Sequence, residues 1–332
     1  MRSKAWLQRN QVVVYAVSVA LAAAFGVGLP SAAPLFEASI TPVLAVLLYV
    51  TFLEIPFVRF REAFTNVRFL GAALGMNFLV VPAVAFALTR VLPAEPAILL
   101  GALLVLLTPC VDYVIAFTDL ADGDAEQVTA VTPALLLVQF ALLPGYLWLF
   151  LGDSVAPVIS AGPFVEAFLS LIAIPLTLAW LTEALADRAT AARRWQAAMG
   201  WLPVPAMGAT LLVVVASQLP RVADSAGQLL AVVPVYVAFL AVMPVLGRIA
   251  AGLFGMDAGE ARALVFTSVT RNSLVVLPLA LALPAGYELV PAVVVTQTLI
   301  ELTGMVVLTR AVPAWLVPTA PETAIPGQFR SE

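Results

Sequence analysis

The stretch LLTPCVDYVIAFTDLADGDAEQ, residues 106 to 127, places the only cysteine of the sequence directly after a proline and two residues before an aspartate. A thiol at Cys110, flanked by the Thr108 hydroxyl and the Asp112 carboxylate, can hold a soft, thiophilic solute. With one thiol in place of three, such a solute can also leave. Pro109 removes a backbone donor and obstructs the carbonyl one turn earlier, so it marks a helix break. A second polar run, SVTRNSLVVLP, carries Arg271, Asn272 and Ser273, with Pro278 as the expected break. A third, TQTLIELTGMVVL, carries Gln297 and Glu301. The bland readings of these runs are an ordinary proline kink, interhelical hydrogen bonds and a cysteine acting as a small hydrophobe.

The elements that must position these groups are membrane helices. Hydrophobic residues make up 62% of the chain, charged residues 11%, and the mean hydropathy is +1.04. Runs of about 20 apolar residues recur, each able to cross a hydrocarbon core of about 30 Å. The short alternating segments of an outer-membrane barrel are not found. Charged and Pro/Gly punctuation gives about ten spans: 11–29, 39–57, 68–91, 96–118, 128–151, 162–182, 198–218, 228–250, 261–283 and 287–309. The first apolar run is longer than that of a secretory signal, so it reads as a retained helix. With the N-terminus inside the cell, Arg90 and Arg221 are the only outward-facing loop cations. The other loop arginines and Lys4 face inward, which is the expected asymmetry.

In this setting the polar residues are costly. An arginine at mid-membrane costs about 2.5–3.5 kcal/mol on insertion scales, so Arg271 needs a partner, and Asp112 is the expected one. Glu301 is an intramembrane carboxylate, a candidate either for proton or cation coupling, a role Asp112 could also fill, or for partnering an arginine. Glu54 and Glu166 lie nearer span ends. Gly71 and Gly75, in GAALG, read as a site of close helix packing. The DLADGDAEQ loop reads as a solvated turn that stops the fourth span.

The inventory also excludes. There is no histidine, so histidine metal sites and Ser-His-Asp catalysis are absent. No phosphate loop of the GxxxxGK[ST] type occurs, and no basic patch suits nucleic acid. The chain reads as a carrier, not an enzyme, with no resident cofactor. Its partners are the lipid bilayer, a small-molecule or metalloid solute and a coupling ion, H+ or Na+. A homodimer is compatible with this.

Five spans per half require the second half to be inverted. At an offset of about 162 residues, Thr108 falls on Thr270 and Pro82 on Pro244. The expected halves are residues 1–155 and 156–315, with 316–332 a short cytoplasmic tail.

TPCVDYVIAFTDLADGD resembles the fourth-span signature of the Acr3-type arsenite efflux carriers, in which a Pro-Cys pair precedes an aromatic residue and an Asp-Leu-Ala-x-Gly-Asp loop. TQTLIELTGMVVL resembles their last span, with Glu301 at its acidic position. The ten-span layout resembles the wider bile acid:sodium symporter (BASS/BART) superfamily over nearly the whole chain. That resemblance implies an all-α polytopic membrane protein with two inverted five-helix repeats and broken, crossing spans 4 and 9. It implies arsenite, and antimonite with it, as solute, with Cys110 as the contacting thiol; Thr108, Asn272 and Ser273, polar side chains converging with that thiol, are expected to line the site. It also implies alternating access in the cell membrane, with both termini cytoplasmic. The alternative is a cation-coupled symporter of an organic anion held by Arg271. The chain departs from the family at Val275, where the ninth span usually has a glutamate, and at Phe117 and Thr118.

Overall fold

The structure is a computed structural model. It describes residues 6–7, 10–53, 66–111, 113–152, 166, 169–186, 188–284 and 286–318. Among these, every regular element is helical. In chain order they are α1 (Gln11–Gly28), α2 (Ala33–Phe52), α3 (Val67–Thr89), α4 (Pro96–Leu106), α5 (Tyr113–Leu120) and α6 (Ala125–Leu151). There follow α7 (Ile174–Ala186), α8 (Thr190–Met199), α9 (Pro203–Asp224), α10 (Val233–Leu253), α11 (Ala258–Val269), α12 (Ser273–Leu281) and α13 (Val290–Ala311).

Six of the expected spans are continuous helices long and apolar enough to cross a bilayer. These are the second, third, fifth, seventh, eighth and tenth. The first and sixth are the shorter apolar helices α1 and α7. The fourth and ninth are split, into α4 and α5 and into α11 and α12. Only α8, which carries Arg193 and Arg194, falls outside the expected spans. It has no buried residue, and its Trp195 indole donates to the Tyr49 hydroxyl. Trp148, Trp201 and Trp315 are exposed at or near helix ends, as in the aromatic belts of membrane proteins. Large apolar side chains such as Leu79 and Leu253 face outward, where lipid is the solvent.

Two groups of helices emerge from the packing. Helix α9 lies against α1 and α2, and α7 against α2 and α8. Helices α3, α4, α5, α6, α10, α11, α12 and α13 pack mainly among themselves, and α9–α13 and α2–α12 join the groups. Close backbone approach within the second group occurs at Gly101, where an added Cβ would meet Val293 Cβ at 2.8 Å, and at Gly247, where it would meet Val265 Cα at 3.0 Å. Gly71 and Gly75 do not have the expected packing role. A Cβ at either meets nothing within 4 Å, because that side of α3 looks away from its neighbours.

One end of this second group is tied by polar contacts. Asp257 and Glu260 form a capping box at the start of α11. Glu260 also receives Arg68 at 2.7 Å and Asn66 at 2.7 Å. Buried Arg262 donates to the carbonyls of Ala121, Asp122 and Val317. Asp124 of the acidic loop caps α6 by accepting from the Gln127 amide, so that loop is a helix start.

Pro109 lies in the break of the fourth span, as expected. Pro278 does not break the ninth; it sits inside α12. The break is at Thr270–Asn272, seven residues or so earlier. The physical reason is the capping of the two halves. Helix α11 ends where the Thr270 hydroxyl takes the Phe266 carbonyl, and Asn272 starts α12 by accepting from the Val275 amide. Within one short half-helix, a proline only leaves a carbonyl one turn back without its donor. Glu54 lies outside the described residues, and Glu166 is exposed.

Candidate functional site

Where the fourth and ninth spans unwind, their backbones pair. Pro109 and Arg271 form an isolated antiparallel bridge. The Cys110 amide donates to the Thr270 carbonyl at 3.1 Å, and the Asn272 amide to the Thr108 carbonyl at 2.8 Å. Each bond maps onto the other under the offset of about 162 residues read from the sequence, so the crossing is locally two-fold. Two unwound segments buried in lipid would leave backbone groups unpaired. Pairing them with each other removes that cost.

Pro109 and Arg271 occupy the pair whose own amides are not used by the bridge. Pro109 has no amide hydrogen to satisfy. Arg271 does, and it donates to both carboxylate oxygens of Glu301, at 3.1 and 3.0 Å. Glu301 is fully buried on α13 and is also reached by the side-chain amide of Gln297. The Tyr113 hydroxyl, at the start of α5, lies 2.6 Å from Glu301 Oε1 and 2.9 Å from the Arg271 carbonyl. It has one proton for these two acceptors. The carboxylate therefore joins the fourth, ninth and tenth spans.

The Arg271 side chain is the largest fully buried one in the described protein. Its Nη2 donates to Asn77 Oδ1 at 2.9 Å, to the Thr267 carbonyl at 3.0 Å and to the Ser268 carbonyl at 2.8 Å. Its Nη1 faces the Leu106 carbonyl at 3.4 Å. The Phe239 ring of α10 lies 5.5 Å from the guanidinium carbon. These carbonyls belong to the C-terminal ends of α4 and α11, where helix dipoles favour a cation. Asp112 lies outside the described residues, so the expected Asp112–Arg271 pair falls there too. The described hydrogen-bond partners of the guanidinium are uncharged oxygens, while the Glu301 carboxylate acts on its charge from the backbone side.

The other expected site residues converge here. Cys110, Thr108, Asn272 and Ser273 are all buried. The Thr108 hydroxyl is turned into its own helix, towards the Leu104 and Val105 carbonyls. Ser273 accepts from the Thr298 hydroxyl at 2.7 Å. Asn272 uses its oxygen as a helix cap, while its Nδ2 is buried with no hydrogen-bond partner, as are Arg271 Nε and Gln297 Oε1. Buried polar atoms without a partner are uncommon, and these three belong to the crossing and to the α13 turn bonded to it.

Asn77 is a site residue that the sequence reading did not single out. It stands in a π-helical turn, Met76–Val80, within α3, and such turns recur at functional sites. Its signal was a lone amide in an apolar span. Tyr113 was visible only as the aromatic residue after the Pro-Cys pair. Among the described residues no cluster of three or more metal-ligating side chains occurs.

Residues 41–225 match the Sodium Bile acid symporter family. A stretch of 109 residues is 27% identical to the arsenical-resistance protein Acr3 of Corynebacterium glutamicum and covers 32% of this chain and 30% of that protein. The aligned part thus spans under a third of this curated relative. A bundle of apolar helices, two of them broken and bridged around buried polar groups, agrees with a match that covers more than half of the chain: it belongs to the sodium bile acid symporter family, and is a multi-pass membrane transporter.

Proposed function

We propose that this transporter exports arsenite, with antimonite as a second solute of the same chemistry, by alternating access across the cell membrane. The observation that carries the reading is the position of its one thiol. Cys110 donates its backbone amide to the bridge that joins the two broken spans, at the centre of the polar groups. As(OH)3 is largely neutral at physiological pH, so it enters such a site without the desolvation cost of an ion. Exchange at one thiol forms a single S–As bond. One hydroxide leaves arsenic and departs as water with the thiol proton. The reverse step, attack of water on that bond, releases the solute and restores the thiol. The spare Asn272 Nδ2 donor suits a hydroxyl on arsenic.

Cys110 is buried in this conformation, so the solute reaches it when the helices around the crossing move. The two packing groups supply that motion, with spans 3 to 5 and 8 to 10 shifting against spans 1, 2, 6 and 7. The two halves, 1–155 and 156–315, are the inverted repeats of that design, and the arginine distribution supports cytoplasmic termini. Glu301 is the group for proton coupling, since the span-9 carboxylate of related carriers is replaced by Val275. Its contacts to Tyr113 and to the Arg271 amide tie any change in its protonation to the crossing itself. The organic-anion reading asks Arg271 to offer its N–H groups to a solute. Its contacts to Asn77, Thr267, Ser268 and Leu106 weigh against that.

The test is As(III) accumulation in cells stripped of their own arsenite efflux, expressing wild type or Cys110→Ser at matched membrane levels. Low accumulation with wild type, restored by the serine, is expected. Equal accumulation in wild-type and empty cells would overturn the reading.

A further inference from the structure

The surroundings of Arg271 have the composition of a cation site. Among the described residues the guanidinium meets one amide oxygen, from Asn77, and three backbone carbonyls, from Thr267, Ser268 and Leu106. All are neutral oxygens, and they come from three different spans. Hard cations are bound by the same donors, carbonyls and amide oxygens gathered at the ends of broken helices. An arginine recruited only for hydrogen bonding would be matched to a carboxylate or phosphate fork. Here Nη2 alone faces three oxygens, while Nε is buried with none. The site accommodates positive charge more closely than it fits the geometry of the fork.

We propose that the Arg271 guanidinium is a tethered cation: it permanently fills an oxygen cage that would otherwise take a free monovalent cation, so this chain cycles without Na+ or K+ at that position. The cage also explains how a charge at mid-membrane is tolerated. Helix C-termini, the Asn77 dipole and the Phe239 face supply the local ligands, and the Glu301 carboxylate, bound to the amide of the same residue, adds its charge from outside the cage. The inference goes beyond which solute is carried and holds for any of them. Asn77, Thr267 and Ser268 become parts of a cation site, and Arg271 becomes its occupant.

The test uses the purified full-length protein in detergent and reads thermal unfolding at constant ionic strength set with choline chloride. NaCl and guanidinium chloride, each up to tens of millimolar, are the probes. Arg271→Ala empties the cage. Its Tm is expected to fall and then to rise saturably with guanidinium, by roughly 3 °C or more, as for any ligand that binds only the folded state. Na+ gives a smaller rise, since the cage must contract around a smaller ion. The wild type and Arg271→Lys are expected not to respond to either salt. Asn77→Ala combined with Arg271→Ala is expected to lose the response.

A flat Tm for Arg271→Ala in both salts would overturn the proposal, as would an undiminished response in the double variant. Should Arg271→Ala not yield folded protein on its own, its purification is repeated with guanidinium chloride, NaCl or choline chloride present throughout. Recovery of folded variant with guanidinium but not with choline is expected, and no recovery with guanidinium or Na+ would overturn the proposal. None of these readings uses arsenite, so their failure is distinguishable from failure of the export reading.

Discussion

In the fourth span the Thr108 hydroxyl donates back to the Leu104 carbonyl; in the ninth the Thr270 hydroxyl does the same to Phe266. Each threonine ends a half-helix, and each is followed by one of the two bridge residues. There the likeness stops. The fourth span is broken by Pro109, which asks for nothing because it has no amide hydrogen. The ninth has Arg271 at the paired position, and its amide needs Glu301 while its guanidinium needs Asn77 and three carbonyls. One break is made by removing a donor; the other is made by the Thr270 and Asn272 caps and holds a charge between them. The difference teaches that the ninth span carries the coupling between spans, while the fourth carries the thiol.

The largest effect on stability is expected at Glu301. Glu301→Leu leaves the Arg271 amide, the Gln297 amide and the Tyr113 hydroxyl competing for fewer acceptors, at about 1–3 kcal/mol for each buried donor left unpaired. The corresponding loss of folded protein, read as Tm in detergent, should exceed that of any single change at Cys110. Glu301→Gln keeps the shape and much of the bonding, so it is expected to fold and to abolish the pH dependence of transport. An unchanged pH profile would remove Glu301 from coupling.

Next comes Asn77→Leu, which takes one oxygen from a buried charge and is expected to cost about 1.5–3 kcal/mol. A stability equal to wild type would mean that the ninth-span break does not depend on holding its cation. Gly101→Ala probes the same helices without touching a polar group. Its Cβ would fall 2.8 Å from Val293 Cβ, and overpacking of this kind costs about 1–3 kcal/mol. The smallest change is expected from Pro278→Ala. An amide hydrogen at that position meets the Leu274 carbonyl within α12, so stability should stay within about 1 kcal/mol of wild type or rise, with transport intact. A large loss of transport from Pro278→Ala would reinstate it as the functional break.

Hydropathy was enough to place the apolar helices in their order along the sequence, because a span of lipid-facing helix writes its length into a continuous run. Pro109 was legible as a break for a local reason, the missing donor. Pro278 misled for the same reason: the proline rule acts within one turn and cannot say that a threonine and an asparagine have already ended and restarted the helix. Arg271 and Glu301 announced themselves by their cost in lipid, and both are central. Their partners were less legible. Asn77 lies in α3, 194 positions from Arg271 in the chain, and no local pattern records such a pairing. Gly71 and Gly75 had the spacing of a packing motif but the wrong face, whereas Gly101 and Gly247, which do pack closely, stand in runs with no such motif.

A solute that meets protein sulfur at the bridge between the broken spans leaves a direct signature, and arsenic-edge X-ray absorption on purified protein loaded with arsenite reads that contact. One sulfur and two oxygen neighbours per bound arsenic are expected for wild type, and oxygen neighbours alone for Cys110→Ser. Oxygen neighbours alone in wild type, with arsenite bound, would contradict it.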